Sequence, residues 1–176
     1  MNPFKTKWQL GKRDNRPRFL TFFGIFIVLG ALGTAWLVSS QWMQLMLIQG
    51  HSMEPAYHHL QPVLIDKQDK EYTVGDVVAF DCKELSAVLV KRIVARPGDT
   101  VVIDDGTLYR NGEASELYSP GVFSYAGLLD HNMTLGSRQY VVIGDNLNES
   151  KDSRYPEVGI VEEDNIRGIV IGCNGN

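Results

Sequence analysis

At 176 residues the chain has room for one modest domain and a short additional segment, and not comfortably for two domains. Its formal net charge of −4 argues against nucleic acid as a bulk partner, because phosphate binding calls for a cationic face. The charge is also unevenly placed: Lys5, Lys7, Lys12, Arg13, Arg16 and Arg18 precede Phe19 against the single acidic Asp14, and the acidic residues gather downstream.

Residues 19–38, FLTFFGIFIVLGALGTAWLV, carry no charge. About 20 apolar residues at 1.5 Å rise reach roughly 30 Å, the thickness of a bilayer core. The expectation is a transmembrane helix, with the basic residues before it on the cytoplasmic side and everything after Ser39 outside. A cleaved signal peptide is the alternative, kept open by the small residues Val38, Ser39 and Ser40, although its apolar stretch is usually only about 7–15 residues long. Trp42 and Met43 fall where an interfacial belt would lie. In that oxidising compartment Cys82 and Cys173 could pair.

Beyond the span the pattern is strand-like. Met46, Leu47 and Ile48 start a packed domain. Residues 62–67, 76–82, 87–95, 99–104 and 107–110 form short runs rich in Val and Ile, and 140–143 and 166–171 add two more. Turn residues bound these runs: Gly75-Asp76, Pro97-Gly98-Asp99, Asp105-Gly106 and Asn111-Gly112. Asp105-Gly106 between two such runs predicts a tight hairpin. Residues 113–138 lack periodicity and read as a surface excursion. No window after residue 39 has a helical period, so the class is mainly β: one N-terminal transmembrane helix and then a folded, partly closed antiparallel β-sheet domain.

The chemistry-bearing residues form three groups. The four histidines, His51, His58, His59 and His131, show no metal-ligand spacing, and there is no phosphate loop and no G-x-S-x-G turn. Ser52 lies in GHSMEP after an apolar run, with Gly50 permitting close backbone approach and Pro55 stiffening the exit. By itself that is as much a turn serine as a nucleophile. Lys91 and Arg92 interrupt the apolar run AVLVKRIVA. A lysine there can guard a strand edge, or it can be buried and lose its proton more readily. To act as a base near neutral pH its pKa must fall by about 2–3 from about 10.4, and it could then deprotonate a serine hydroxyl. Alternation does not decide which of Lys91 and Arg92 points inward. In GDNLNESKDSRY, Ser150, Asp152 and Arg154 alternate, so an extended segment would point them one way; the plain alternative is a polar loop.

Together these groups resemble the bacterial type I signal peptidases. The family's S-M-x-P matches Ser52-Met53-Glu54-Pro55, and its G-D-V-V-x-F matches Gly75 to Phe80. Its K-R-x-x-x-x-P-G-D matches Lys91-Arg92 through Pro97-Gly98-Asp99. Its G-D-N-x-x-x-S-x-D-S-R matches Gly144-Asp145-Asn146, Ser150 and Asp152-Ser153-Arg154. The order and the N-terminal span agree as well.

The resemblance implies a serine endopeptidase with Ser52 as nucleophile and Lys91 as general base. Ser150 would position Lys91, Asp152 and Arg154 would hold the frame, and Gly50 and Met53 would flank the nucleophile. It implies no metal and no organic cofactor, and substrates that are exported precursors cut after small residues at −1 and −3. The expected organisation is a basic cytoplasmic tail (1–18), a signal anchor (19–38) and an extracytoplasmic catalytic domain (39–176). Partners are precursor proteins and the bilayer; the oligomeric state is left open.

Some positions depart from the pattern. Where some members carry a hydroxyl that helps bind the oxyanion, this chain has Gly50, so the hole would rest mainly on backbone N–H groups including that of Ser52. Leu147-Asn148-Glu149 replaces R-D-N, PEVGIV follows Tyr155, and the short Lys91-to-Gly144 spacing leaves little room for a large second domain. A maturation peptidase dedicated to a pilin or conjugation precursor, an inactive secretion scaffold and a self-cleaving Ser-Lys peptidase are the competing readings.

Overall fold

The computed structural model describes residues 18–68 and 71–172. The N-terminal basic residues up to Arg16 and Cys173 lie outside them, so the pairing of Cys173 with Cys82 that the sequence left open does too; Cys82 is a buried thiol donating to the Glu157 carbonyl (3.2 Å). The chain divides into two compact units, Met1–Ser39 and Ser40–Asn176.

Helix α1 (Arg18–Trp42) has 25 residues, and its residues 21–36 are all exposed. Among the described residues no helix is long and apolar enough to cross a membrane. The expected span of 19–38 is therefore not among the structural findings.

The second unit is antiparallel β. In chain order its strands are β1 (Met43–Leu47), β2 (Pro62–Asp66), β3 (Val77–Cys82), β4 (Ala87–Ala95), β5 (Thr100–Asp104), β6 (Thr107–Arg110), β7 (Glu113–Ala114), β8 (Met133–Thr134), β9 (Gln139–Ile143), β10 (Val161–Glu162) and β11 (Ile166–Gly172). Seven of them form one sheet in the order β1-β2-β11-β3-β4-β9-β10, and four form a second, β7-β6-β5-β8. Asp105 (φ 43°) and Gly106 (φ 70°) make the two-residue turn of the β5–β6 hairpin, with Asp104 opposite Thr107.

Two sequence expectations are corrected. The sheet is open rather than partly closed: β1 and β10 are its two edges, and no described pairing joins them. The second sheet takes up strands β5 to β8, so the chain covers its core by folding into two sheets instead of closing one. Residues 113–138 are also more than a surface excursion, since Phe123, Leu129 and Leu135 are buried in the core with Val101, Ile103 and Leu108. Irregular backbone carries no period, and so no pattern in residues 113–138 marks these side chains as turned inward.

β3 explains why its run reads as continuously apolar. Val77 and Ala79 pack with Ile48, Met53 and Ile65 on one face, while Val78 and Phe80 pack with Ile93 and Val142 on the other. A central strand buried on both faces cannot alternate. β4 is paired beside it, and the same double burial hid the direction of Lys91.

Candidate active site

Residues 48–61 form a loop closed by its own backbone: Ile48 N–H donates to Gln61 O (3.0 Å) and Leu60 N–H to Ile48 O (2.8 Å). Ser52 sits half-buried near its start. The next residue, Met53, is 1% exposed and plugs into the core between Ile48 and Ile65, so the backbone at Ser52 is fixed by an apolar anchor. Gly50 holds φ +91°, where an L side chain would be strained, and its N–H donates to His59 Nδ1 (3.0 Å). The Glu54-Pro55 peptide is cis. His51 Nδ1 lies 2.8 Å from Glu54 Oε1, which raises the imidazole pKa through that hydrogen bond and charge.

Lys91 arrives from β4, opposite Val78 of β3. Pairing of β4 with β9 begins only at Arg92, leaving Lys91 on the stretch where β4 has a single neighbour. Lys91 is 3% exposed, and its Nζ lies 2.7 Å from Ser52 Oγ and donates to Val90 O (3.0 Å). Burial disfavours the ammonium and brings its pKa from 10.5 down to about 8, against the opposing pull of Asp152 and Asp145. Arg92, the next residue, turns the other way. Its Nε and Nη2 donate to the two oxygens of Asp145 (2.8 and 2.6 Å), and Nη1 donates to Gly75 O (2.7 Å).

The third segment lines the opposite side. Ser150, Asp152, Ser153 and Arg154 are all buried, in a run of turns and bends rather than a strand. The alternation argument is corrected here: Ser153 lies between two of the buried residues and is itself buried, its N–H donating to Val142 O of β9 (3.0 Å) and its Oγ accepting from Val142 N–H (2.9 Å). Asp152 and Arg154 form a bidentate pair, Nε to Oδ1 at 2.8 Å and Nη2 to Oδ2 at 2.9 Å. Asp152 Oδ2 also accepts from Gly144 N–H (3.1 Å), and Arg154 Nη2 donates to Leu147 O (3.0 Å).

Ser150 Oγ is buried with no hydrogen-bond partner among the described residues, and it does not share a hydrogen bond with Lys91. A Cβ added at Gly144 would fall on Ser150 Oγ and the Ser52 carbonyl oxygen, so the nucleophile loop and the Ser150 segment meet where only glycine fits. In the sequence Asp145 and Asn146 are positions of a motif with no role of their own. Asp145 clamps Arg92, and Asn146 reaches the nucleophile loop, donating from its N–H to Ser52 O (3.0 Å) and from Nδ2 to His51 O (3.2 Å). Among the described residues no group of His, Cys, Asp or Glu side chains is arranged to hold a metal ion.

A groove of about 500 Å³ opens beside Ser52 and Lys91. One wall is β1 and the residues after it, with Gln44, Met46 and Ile48; the other is the first half of β4, with Val88 and Val90. Both walls are strand edges: among the described residues β1 pairs only with β2, and residues 87–91 of β4 pair only with β3. The arrangement offers a serine hydroxyl next to a buried amine of lowered basicity, at the end of a channel with unpaired backbone on two sides.

Comparison with known proteins gives one consistent result. The family model described as signal peptidase, peptidase S26, matches residues 21–173. Signal peptidase I of Bacillus licheniformis is 32% identical over 133 residues, covering 69% of this chain and 71% of that protein. Signal peptidase I T of Bacillus subtilis is 32% identical over 133 residues, covering 69% of this chain and 68% of that protein. A crystal structure of a signal peptidase I from Enterococcus faecalis superposes with a TM-score of 0.47 at 26% identity, covering 57% of this chain and 97% of that one.

Proposed function

The chain belongs to the peptidase S26 family of signal peptidases, and from that premise we propose that it removes signal sequences from exported precursors with Ser52 as nucleophile and Lys91 as general base. One observation carries the assignment of the pair: Lys91 Nζ lies 2.7 Å from Ser52 Oγ while 3% exposed. A scaffold would gain nothing from burying an amine against a hydroxyl, because an uncompensated buried charge costs stability.

The chemistry follows from the geometry. Neutral Lys91 accepts the Ser52 proton as Oγ attacks the scissile carbonyl carbon, and the carbonyl oxygen becomes an oxyanion. Ser52 N–H donates to no acceptor among the described residues and is available to that oxyanion. The C–N bond then breaks, and the leaving amine takes the proton from the Lys91 ammonium. Water, deprotonated by Lys91, attacks the acyl-Ser52 ester; the ester C–O bond breaks, Lys91 returns the proton to Ser52 Oγ, and the new carboxyl end is released. Lys91 in its neutral form keeps two N–H donors, one occupied by Val90 O, and a lone pair available to the Ser52 hydroxyl 2.7 Å away. No metal or organic cofactor enters any step.

The substrate would lie extended in the groove and add a strand to its open edges, so that backbone hydrogen bonds supply affinity and the channel walls supply side-chain selection. Cleavage after small residues is the family's preference and is proposed for this chain. Residues 19–38 are proposed as a single-pass anchor with the N-terminal tail cytoplasmic and residues 39–176 outside, since a helix apolar on every face finds its solvent in a bilayer.

The test is the pH dependence of cleavage. The active form has Lys91 neutral, so activity is low below the Lys91 pKa and rises as pH climbs through it. With a midpoint of about 8, kcat/KM is expected to increase about tenfold between pH 7 and pH 9 and then level off. Lys91→Arg keeps a charge that cannot be shed and is expected to be inactive at every pH. A rate still climbing steeply at pH 10, or an active arginine variant, would overturn the assignment.

A further inference from the structure

Asn146 touches the nucleophile loop twice, and the two contacts fall on consecutive carbonyls. Its backbone N–H donates to Ser52 O (3.0 Å), and its side-chain Nδ2 donates to His51 O (3.2 Å). The His51 carbonyl and the Ser52 N–H belong to one peptide unit, and in a planar trans peptide these two groups point in opposite directions. A donor that holds the His51 oxygen on the Asn146 side therefore turns the Ser52 N–H the other way. That N–H has no acceptor among the described residues. With Gly50 offering no hydroxyl and its own N–H spent on His59 Nδ1 (3.0 Å), the Ser52 N–H is the donor on which oxyanion binding would chiefly depend.

Asn146 is itself held firmly enough to do this. The residue before it, Asp145, is clamped by Arg92 through two bonds of 2.8 and 2.6 Å. The carbonyl of the residue after it, Leu147, accepts from the buried Arg154 (3.0 Å). An ion pair on one side and a hydrogen bond from a buried guanidinium on the other thus fix Asn146. A second donor, Glu54 N–H, also reaches His51 O (3.2 Å) from within the loop, so the peptide keeps one restraint when the Asn146 side chain is lost.

We infer that Asn146 is a positioning residue of the reaction, aiming the Ser52 N–H at the developing oxyanion through the His51–Ser52 peptide. This deepens the assignment of Ser52 as nucleophile and rests on it. A preorganised donor acts where charge develops, so losing its aim lowers kcat and leaves KM nearly unchanged.

The experiment uses the full chain in detergent with a peptide ester bearing a small residue on the acyl side, and with the matching thionoester. Sulfur fits an N–H donor site built for oxygen poorly, so the wild type is expected to hydrolyse the ester much faster than the thionoester. Asn146→Ala removes only the side-chain bond and keeps the backbone one. It is expected to lower kcat for the ester about tenfold with KM within twofold, to compress the ester-to-thionoester ratio, and to leave the Lys91 pH midpoint in place. Asn146→Asp has the same shape but cannot donate to His51 O, and is expected to lose at least as much. Equal losses on ester and thionoester, or a rise in KM at constant kcat, would overturn the positioning role while leaving Ser52 as nucleophile. Ester hydrolysis that survives Ser52→Ala would overturn both.

Discussion

Ser52→Ala is expected to lower precursor cleavage by about 10⁴- to 10⁶-fold, as loss of a nucleophile typically does. The substitution removes one oxygen from a half-buried side chain and leaves Met53, which anchors the loop, in its place. Stability should change little, so the loss will read as chemistry. Lys91→Met is expected to fall as far. It keeps the buried stem, removes the amine that lies 2.7 Å from Ser52 Oγ, and relieves the cost of burying an ammonium. Because the two act as one unit, the double variant should be scarcely worse than either single one. Cleavage of a precursor by purified variants measures this directly; turnover within about tenfold of wild type in either single variant would sink the pair.

Asp152→Ala is expected to cost about 3–5 kcal/mol of stability, a large share of the 5–15 kcal/mol typical of a domain. Asp152 is wholly buried and Arg154 is 1% exposed, so deleting the carboxylate strands a guanidinium without its counter-charge. Gly144 N–H loses its acceptor as well. Chemical denaturation should reveal the loss, and the Asp152→Asn, Arg154→Met double variant should recover part of it because no lone charge remains. Asp152 also holds up the Lys91 pKa. Any cleavage that survives in Asp152→Asn should therefore show its midpoint moved to lower pH. A stability unchanged by Asp152→Ala would mean that Arg154 is satisfied without it.

The long Val- and Ile-rich runs were legible as strands because a pleated, half-buried surface selects those side chains, and β4 matches its expected bounds of 87–95. β7, β8 and β10 are two residues each, too short to carry any period. The buried Phe123, Leu129 and Leu135 escaped notice for the same reason. At the site, motif order put Ser52 and Lys91 forward, but neither their spacing nor the burial of Lys91 could be read. Lys91 and Arg92 both lie in an apolar run, and only the β3 and β9 registers separate an inward amine from a guanidinium held by Asp145. Asn146 was invisible as a contact. Its partner carbonyl at His51 is 95 residues away, and no local pattern encodes a hydrogen bond of that separation.

The central claim is that Lys91 is a base because it is buried, and the most direct measurement is the titration of that one side chain. Lysine labelled with ¹³C at Cε, followed by NMR from pH 6 to 11, reports each amine separately, and the Lys91 resonance is the one missing from Lys91→Met. It is expected to titrate with a midpoint of about 8, well below the roughly 10.4 of a free lysine side chain. A Lys91 resonance with its midpoint at about 10 or above would contradict the account.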